Sequence, residues 1–255
     1  MKRKSISPSS IVVVSQFLPD SLEFDADGAP VLDEASKLHD GLDSFNHPRR
    51  RRCLILQSMS KQSNVLFESP KESRDDLDMY HLICSERMVT FLSTAYDQWH
   101  AMGEGQDPIA KLKSSYGDSS VSMPLVPGFV PLPRDPVPMR PSKNVMGQIG
   151  FYCTDMCTPI FYNLKEELLW DAAVIRQAVD RVLEQQHQVV YALATHPGHH
   201  AASDSFGGYC YLNHAAWAAR TLQKEGGKSK VAVLDVDYVS SPKRFLDVGS
   251  SMTCI

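Results

Sequence analysis

Two short apolar runs, at residues 189–194 and 231–236, constrain the fold of this chain more than any other feature. Helical segments flank them. Residues 165–186 carry an apolar stripe at helical spacing, and residues 213–225 end at a pair of glycines. Short strands that are apolar on both faces and alternate with helices are typical of a parallel sheet covered on both sides. The pattern therefore predicts an α/β fold in which helices pack on both faces of a parallel sheet.

The first half of the chain is less regular, and one segment in it excludes regular structure. Residues 11–14 are predicted to form a first core strand and residues 79–99 a helix, whereas residues 1–10 are predicted to be a flexible tail. Residues 124–141 contain seven prolines, which a helix interior or a central strand does not tolerate. This stretch is either a linker between domains or a long loop inside one domain. We favour the loop, because long loops in compact domains are often functional.

Composition limits the classes of protein and partner. The chain has 255 residues, of which 43% are hydrophobic and 22% charged, so it can bury a sizeable core. Its net charge of -4 argues against direct nucleic-acid binding, and its apolar runs are too short to span a membrane. Basic runs at residues 2–4 and 49–52 are either nuclear import signals or solvated surface, and we expect a cytoplasmic or nuclear location.

Cysteine usage points to reduced thiols, since the six cysteines are scattered and no secretion signal accompanies them. Cys153 and Cys157 are the closest pair, and their spacing could suit a metal. A second Cys/His pair is missing from their neighbourhood, so a packing role is favoured for both.

The first segment with chemical potential is the loop that follows the apolar run at 189–194. It contains His199 and His200 directly after Pro197 and Gly198. On a loop, two adjacent imidazoles can line one pocket, where one serves as a base and the other as a positively charged stabiliser. The glycine would let the backbone come close to a ligand. The alternative is a solvated pair of surface histidines.

Two further segments follow the histidines. Gly207 and Gly208 free the backbone before the aromatic residue Tyr209, so this stretch can wall a channel or be an ordinary loop. Asp235 and Asp237 end the run at 231–236, and residues two apart on a strand point to the same side. Two buried like charges require a cation, so the pair predicts a metal site, unless the strand has already reached solvent.

Together these segments resemble the histone deacetylase superfamily. The matching motifs are Pro-Gly-His-His-Ala at 197–201, Gly-Gly-Tyr-Cys-Tyr-Leu-Asn at 207–213 and Val-Leu-Asp-Val-Asp at 233–237. Residues 151–160 and 91–99 resemble its acetylpolyamine amidohydrolase branch in particular. The resemblance implies a three-layer αβα fold with an arginase/deacetylase-like parallel sheet. It also implies a zinc-dependent amidohydrolase that removes acetyl groups from acetyl-lysine or from acetylated polyamines.

The resemblance also implies roles for individual residues. His200 would be the general base and His199 its electrostatic partner or acid. Asp237 would be a zinc ligand, while Asp235 would hold a monovalent cation such as K⁺ and orient the histidines. Gly208 and Tyr209 would line the tunnel for the acyl-amine substrate. Some members of the family form dimers, so a homo-oligomer is among the expected partners.

The sequence departs from the family after Tyr238. The family has a histidine, its second zinc ligand, two positions after the second aspartate, whereas this chain has Val239. Residues 239–255 resemble nothing in the family. We therefore expect a partial deacetylase domain over residues 11–238, a sheet that is incomplete on its C-terminal side, weak zinc binding and little activity. The alternative is a non-catalytic fragment or interaction module that binds full-length relatives.

Overall fold

The computed structural model describes most of the chain as two compact units. The described residues are 11–23, 48–102, 125–128, 140–184, 189–238 and 252–254. Of these residues, the first unit combines those up to Arg74 with those between Trp170 and Thr195, and the second combines those between Asp75 and Leu169 with those from His196 onward. The helices are α1 (Pro48–Ser60), α2 (Glu86–Ala101), α3 (Val145–Tyr152), α4 (Leu164–Glu184) and α5 (His214–Lys224). The strands are β1 (Ile11–Ser15), β2 (Val65–Glu68), β3 (Val189–Leu193), β4 (Val231–Val233) and β5 (Met252–Cys254).

A parallel sheet with the strand order β2-β1-β3 is the centre of the first unit. Alternate residues of β1 face opposite sides of the sheet. Val12 and Val14 pack against Val174 and Ala178 of α4. Val13 faces the other side and packs with Leu56 of α1. Helices therefore cover both faces of this sheet, and the predicted α/β class with a parallel sheet is confirmed.

Strand β3 differs from its prediction in burial. Its sequence is apolar throughout, which predicted cover on both faces, yet Val189 is 63% exposed and Tyr191 is 42% exposed. β3 lies at one edge of this sheet as described, and of Val189, Tyr191 and Leu193, which share one face of the strand, only Leu193 is buried. An apolar run thus identified the strand but not how far its neighbours cover it.

The basic run at 49–52 belongs to α1. The prediction that this run is solvated surface is wrong for Arg52. Arg52 is buried, and its guanidinium donates hydrogen bonds to Thr195 Oγ1 at 2.6 Å and to Gln16 Oε1 at 3.1 Å. It also lies 5.4 Å from the centre of the Phe17 ring. A buried charge requires such partners, so Arg52 helps to hold the first unit together.

The helix predicted at 79–99 is two elements, both in the second unit. A 3-10 turn at Asp78–Leu82 comes first, and α2 begins only at Glu86. Ser85 separates them because its side chain accepts a hydrogen bond from the backbone N–H of Met88, which caps the new helix. The buried face of α2 then joins an aromatic core, in which the Phe91 ring lies 4.9 Å from that of Tyr152.

The predicted strand at 231–236 is shorter than expected. β4 ends at Val233, and it pairs in parallel with β5 in a separate two-stranded sheet rather than with β3. Val231 and Val233 pack under Ala216 and Ala219 of α5. β5 lies within residues 239–255, the stretch that resembles nothing in the family, so part of that stretch pairs with the family segment.

Some predictions fall outside the described residues. The tail at 1–10 and most of the proline-rich segment at 124–141 are among them; within that segment, Leu125 forms an antiparallel bridge with Ile160. No helix in the described ranges is long and apolar enough to cross a membrane.

Candidate functional site

The second unit brings three of the predicted residues together. The imidazole rings of His199 and His200 are 4.3 Å apart between centroids and inclined by 70°. Nδ1 of His199 lies 3.2 Å from Oδ2 of Asp235, and the two side chains are only 18% and 14% exposed. A carboxylate beside one ring nitrogen fixes the tautomer and the orientation of the imidazole. The arrangement is therefore a carboxylate–imidazole pair with a second imidazole against it.

Gly198 explains why the loop takes this path. A Cβ atom at this position would lie 2.8 Å from the backbone oxygen of Leu212 and 2.9 Å from the backbone nitrogen of His214. The glycine is thus required by the chain's own backbone, whereas the sequence suggested a close approach to a ligand. Asn213 reinforces the contact, since its side-chain amide donates a hydrogen bond to the backbone oxygen of Ala201 at 3.1 Å.

Asn213 is also the N-cap of helix α5. Its side-chain oxygen accepts a hydrogen bond from the backbone N–H of Ala216 at 3.0 Å, at the start of α5. One buried amide therefore ties the histidine loop to a helix terminus.

The predicted substrate-binding pair forms a tight turn against His200. Gly208 has a φ of 56° and Tyr209 a φ of 61°, and the left-handed region is uncommon for a residue with a side chain. A Cβ atom on Gly208 would lie 2.4 Å from Cδ2 of His200, so only glycine allows the backbone to come this close to the ring. Tyr209 is 39% exposed at the edge of this turn.

Asp155 is a functional candidate that the sequence did not single out. It lies inside the stretch at 151–160 that resembles the acetylpolyamine amidohydrolase branch. Its carboxylate accepts hydrogen bonds from the backbone N–H groups of Gly208 at 2.5 Å, Thr158 at 2.7 Å and Cys157 at 2.8 Å. The Thr158 hydroxyl donates a fourth at 2.8 Å. Burial opposes ionisation of Asp155, but these hydrogen bonds outweigh it and lower the pKa of the carboxyl to about 2.

The second predicted aspartate is placed differently from the first. The backbone N–H of Asp237 donates a hydrogen bond to Oδ1 of Asp235 at 3.1 Å, and the residue itself is exposed. Of the two alternatives, the one in which the strand has already reached solvent holds for Asp237, because β4 stops at Val233 and Asp237 is exposed. The apolar side chains of Leu234 and Val236 are 71% and 88% exposed.

The residues of this site do not by themselves fit a catalytic zinc ion, which normally has three protein ligands. Within the described ranges, no group of three His, Cys, Asp or Glu side chains is arranged to hold a metal. Asp237 is exposed, and the residue two positions after it is Val239, whose side chain has no donor atom. The zinc ligand expected at Asp237 and the cation expected at Asp235 therefore stay predictions.

The cysteines do not replace the missing ligands. The five cysteines whose side chains are described are free thiols. Burial raises the pKa of Cys153 to about 12, which disfavours the thiolate that a metal requires. Cys157 is exposed, so the two side chains of the closest pair differ in their surroundings.

Comparison with known proteins decides the family. Residues 46–238 match the family described as Histone deacetylase domain. The chain belongs to the histone deacetylase family. The match ends at the residue where the sequence motifs of the family end.

Among curated members of this family, the chain is similar to two bacterial enzymes. It is 36% identical to the acetylpolyamine amidohydrolase of Mycoplana ramosa over 150 residues, which are 59% of this chain and 38% of that protein. It is 30% identical to acetylpolyamine amidohydrolase 1 of Pseudomonas aeruginosa over 195 residues, which are 76% of this chain and 50% of that protein. The chain thus matches half or less of the length of each relative.

The fold is similar to that of a solved family member. The acetylpolyamine aminohydrolase of Burkholderia pseudomallei aligns with a TM-score of 0.62 at 21% identity. The alignment covers 96% of this chain and 62% of that protein. At this level of identity the likeness establishes the fold alone, and it supports the mixed α/β architecture with a parallel sheet.

Proposed function

We propose that this chain carries the acid–base part of an amidohydrolase site that hydrolyses small acetylated amines, with acetylated polyamines preferred over acetyl-lysine in proteins. The observation that carries the proposal is the cluster in which Asp235 supports His199 and His200 lies against it, 4.3 Å away between ring centres. The preference for polyamines rests on relatives that are named as acetylpolyamine amidohydrolases.

The reaction is the hydrolysis of an acetamide to acetate and an amine. His200 removes a proton from the attacking water as a C–O bond forms at the carbonyl carbon. The C–N bond then breaks, and the departing nitrogen receives a proton from the same histidine or from His199. Asp235 fixes the ring of His199, so that a positive charge on this imidazole would be held beside the developing oxyanion. Gly208 and Tyr209 border the position of the substrate.

Zinc dependence is part of the family expectation, and Asp237 is the ligand that this sequence offers. We propose that the 255 residues alone bind zinc weakly and turn over little substrate, because the position of the second ligand is Val239. Purified protein would be assayed with zinc, an N-acetylated diamine and an acetyl-lysine peptide, and free amine and bound metal would be measured. We expect substoichiometric zinc and no amine release above the buffer. Stoichiometric zinc with turnover would contradict the proposed inactivity.

A single substitution separates a missing ligand from a misassigned site. Val239→His restores the aspartate-x-histidine spacing of the family, and we expect zinc affinity to rise about tenfold or more, equivalent to about 1.4 kcal/mol. Asp237→Ala in the same background should remove this gain, whereas Asp204→Ala, elsewhere in the unit, should not. No gain with Val239→His would contradict the assignment of Asp237 as a ligand.

The second candidate function is a non-catalytic module that binds full-length relatives. The specific observation in its favour is an exposed apolar run beside the candidate site. Its members, Leu234, Val236 and Tyr238, alternate in sequence with the two aspartates, and their side chains are strongly exposed. Exposed apolar runs are common at protein interfaces. A pull-down with a full-length acetylpolyamine amidohydrolase tests it, with Leu234→Ser/Val236→Ser as the control. Capture of the relative by the wild type but not by the variant would favour the module. Homo-oligomerisation and a cytoplasmic or nuclear location stay predictions.

A further inference from the structure

The turn from Gly207 to Tyr209 has an unfavourable backbone conformation. Within the turn, Gly207 and Cys210 exchange two backbone hydrogen bonds, of 3.2 Å and 2.9 Å. Two successive residues have positive φ, and one of them carries a large side chain. A non-glycine residue persists in this region only when its surroundings enforce it.

Residues 155–158 provide that enforcement. One oxygen of Asp155 accepts the N–H of Gly208 and the hydroxyl of Thr158, and the other accepts two backbone N–H groups of its own loop. The same Thr158 hydroxyl accepts the N–H of Tyr209 at 3.0 Å. Both backbone N–H groups of the left-handed pair are therefore bound, one directly by the carboxylate and the other through the hydroxyl that it orients.

The contact with His200 links this turn to the proposed chemistry. The position of the missing Cβ of Gly208 is 2.4 Å from Cδ2, 3.0 Å from Cγ and 3.1 Å from Nε2 of the imidazole. Gly208 is thus in close contact with the imidazole around its Cδ2 atom, and a displacement of the turn must change the surroundings of that ring. Gly207 is confined in the same way, since a Cβ there would meet Oγ1 of Thr154 and Oδ2 of Asp155.

We propose that Asp155 is a positioning residue for His200. It acts through the backbone of Gly208, which it holds beside Cδ2 of the imidazole, and with Thr158 it sets the orientation of Tyr209 at the edge of the site. The inference rests on the proposed function for its relevance to catalysis, while the structural link from Asp155 to His200 can be measured without turnover.

A second carboxylate near the histidine loop provides a matched control. Asp204 accepts hydrogen bonds from the hydroxyl of Ser85 at 2.5 Å and from Nε of Arg87 at 3.1 Å, and it forms a salt bridge with the same guanidinium. These contacts anchor residues 203–205 to the start of α2. Its loss should destabilise the fold without altering the imidazole.

The experiment records imidazole ¹H–¹⁵N correlation spectra of the full 255-residue chain, with His200→Gln used to assign the signal of His200. In Asp155→Asn the side chain has one acceptor oxygen left for four donors, so the signal of His200 should shift. Gly208→Ala, whose added Cβ would press on the imidazole directly, serves as the reference, and we expect both variants to shift the signal in the same direction. Thr158→Val removes one donor without a change in charge and should give a smaller shift in the same direction. Asp204→Asn should lower the unfolding temperature and leave the signal of His200 in place.

The outcomes separate this inference from the proposed function. An unchanged His200 signal in folded Asp155→Asn or, if that variant does not fold, in Thr158→Val would overturn the inference. Equal shifts in Asp155→Asn and Asp204→Asn would also overturn it, because they would indicate a general loosening. If the inference holds and no acetyl-amine hydrolysis is found even after the zinc ligands are restored, the proposed function fails alone.

Discussion

The histidine loop with its neighbouring turn, residues 196–210, and the segment Leu234 to Tyr238 both carry family motifs, but the protein holds them in different ways. The loop is fixed from several directions, by the backbone of Leu212 to His214 against Gly198 and by Asp155 beneath Gly208. The later segment follows a strand of only three residues, and three of its apolar side chains are strongly exposed.

The difference between these regions teaches that a motif and its support are separate properties. Both motifs lie within residues 46–238, the range that matches the family. Two separate segments, the backbone of residues 212–214 and the carboxylate of Asp155, contact the loop motif, so its geometry is fixed from more than one side. Asp235 is the link between the regions, since it contacts His199 and receives the N–H of Asp237. Four predictions test this contrast, in order of decreasing effect.

The largest effect is expected for Gly198→Ala in the firmly held loop. The added methyl group would lie 2.8 Å from the oxygen of Leu212 and 2.9 Å from the nitrogen of His214, and both are backbone atoms that cannot turn away. We expect the free energy of unfolding to fall by about 2–3 kcal/mol, as for other overpacked sites. Urea denaturation measures it. Gly128→Ala is the control, because nothing lies within 4 Å of its Cβ position. A loss below that of the control would mean that the loop is less constrained than described.

Asn213→Ala should have the next largest effect. It removes the cap of α5 and the hydrogen bond to Ala201 together, for an expected loss of about 1–2 kcal/mol. Asn213→Asp keeps the capping oxygen but not the donor to Ala201, so it separates the two contributions. Thermal and urea unfolding would be compared for all three proteins. Equal stabilities for Asn213→Asp and the wild type would show that the bridge to the histidine loop contributes nothing.

Acid should weaken the contribution of Asp155 to the stability of the fold. Its folded pKa of about 2 lies below the ordinary value of 3.8, so the ionised carboxylate stabilises the fold above about pH 4. This contribution is lost as the pH falls from about 4 towards 2, where protonation removes an acceptor. The difference in unfolding temperature between the wild type and Asp155→Asn should therefore shrink over this interval. A difference that stays constant from pH 7 to pH 2 would mean that the charge of Asp155 is unimportant.

The smallest effect is expected in the exposed segment. Val236 is 88% exposed, so Val236→Thr should change the free energy of unfolding by no more than about 0.5 kcal/mol. Light scattering of the same samples would report whether the exposed apolar run drives association, which the threonine should reduce. A loss of stability comparable with that of Asn213→Ala would erase the contrast between the two regions.

Much of the fold could be predicted from the sequence because its signals are local. Apolar spacing predicts the strand at residues 11–14 and the long helix before β3, and a pair of glycines predicts the end of the helix that follows Asn213. Each of these signals acts over a few positions. The break at Ser85 is not predicted, although serine is a preferred N-cap residue and is in that sense a local signal for a helix start. The early end of β4 was missed because pairing depends on a distant partner, β5.

By itself, the sequence determined the family and the identity of the histidine pair, because these depend on residue types in a fixed order. Only the tertiary structure decided that Asp235 contacts His199, that Arg52 is buried and that Gly208 lies against His200. Asp155 entered the site for the same reason. Its carboxylate and the N–H of Gly208 are 53 positions apart in the chain, and only folding brings such groups within hydrogen-bonding distance.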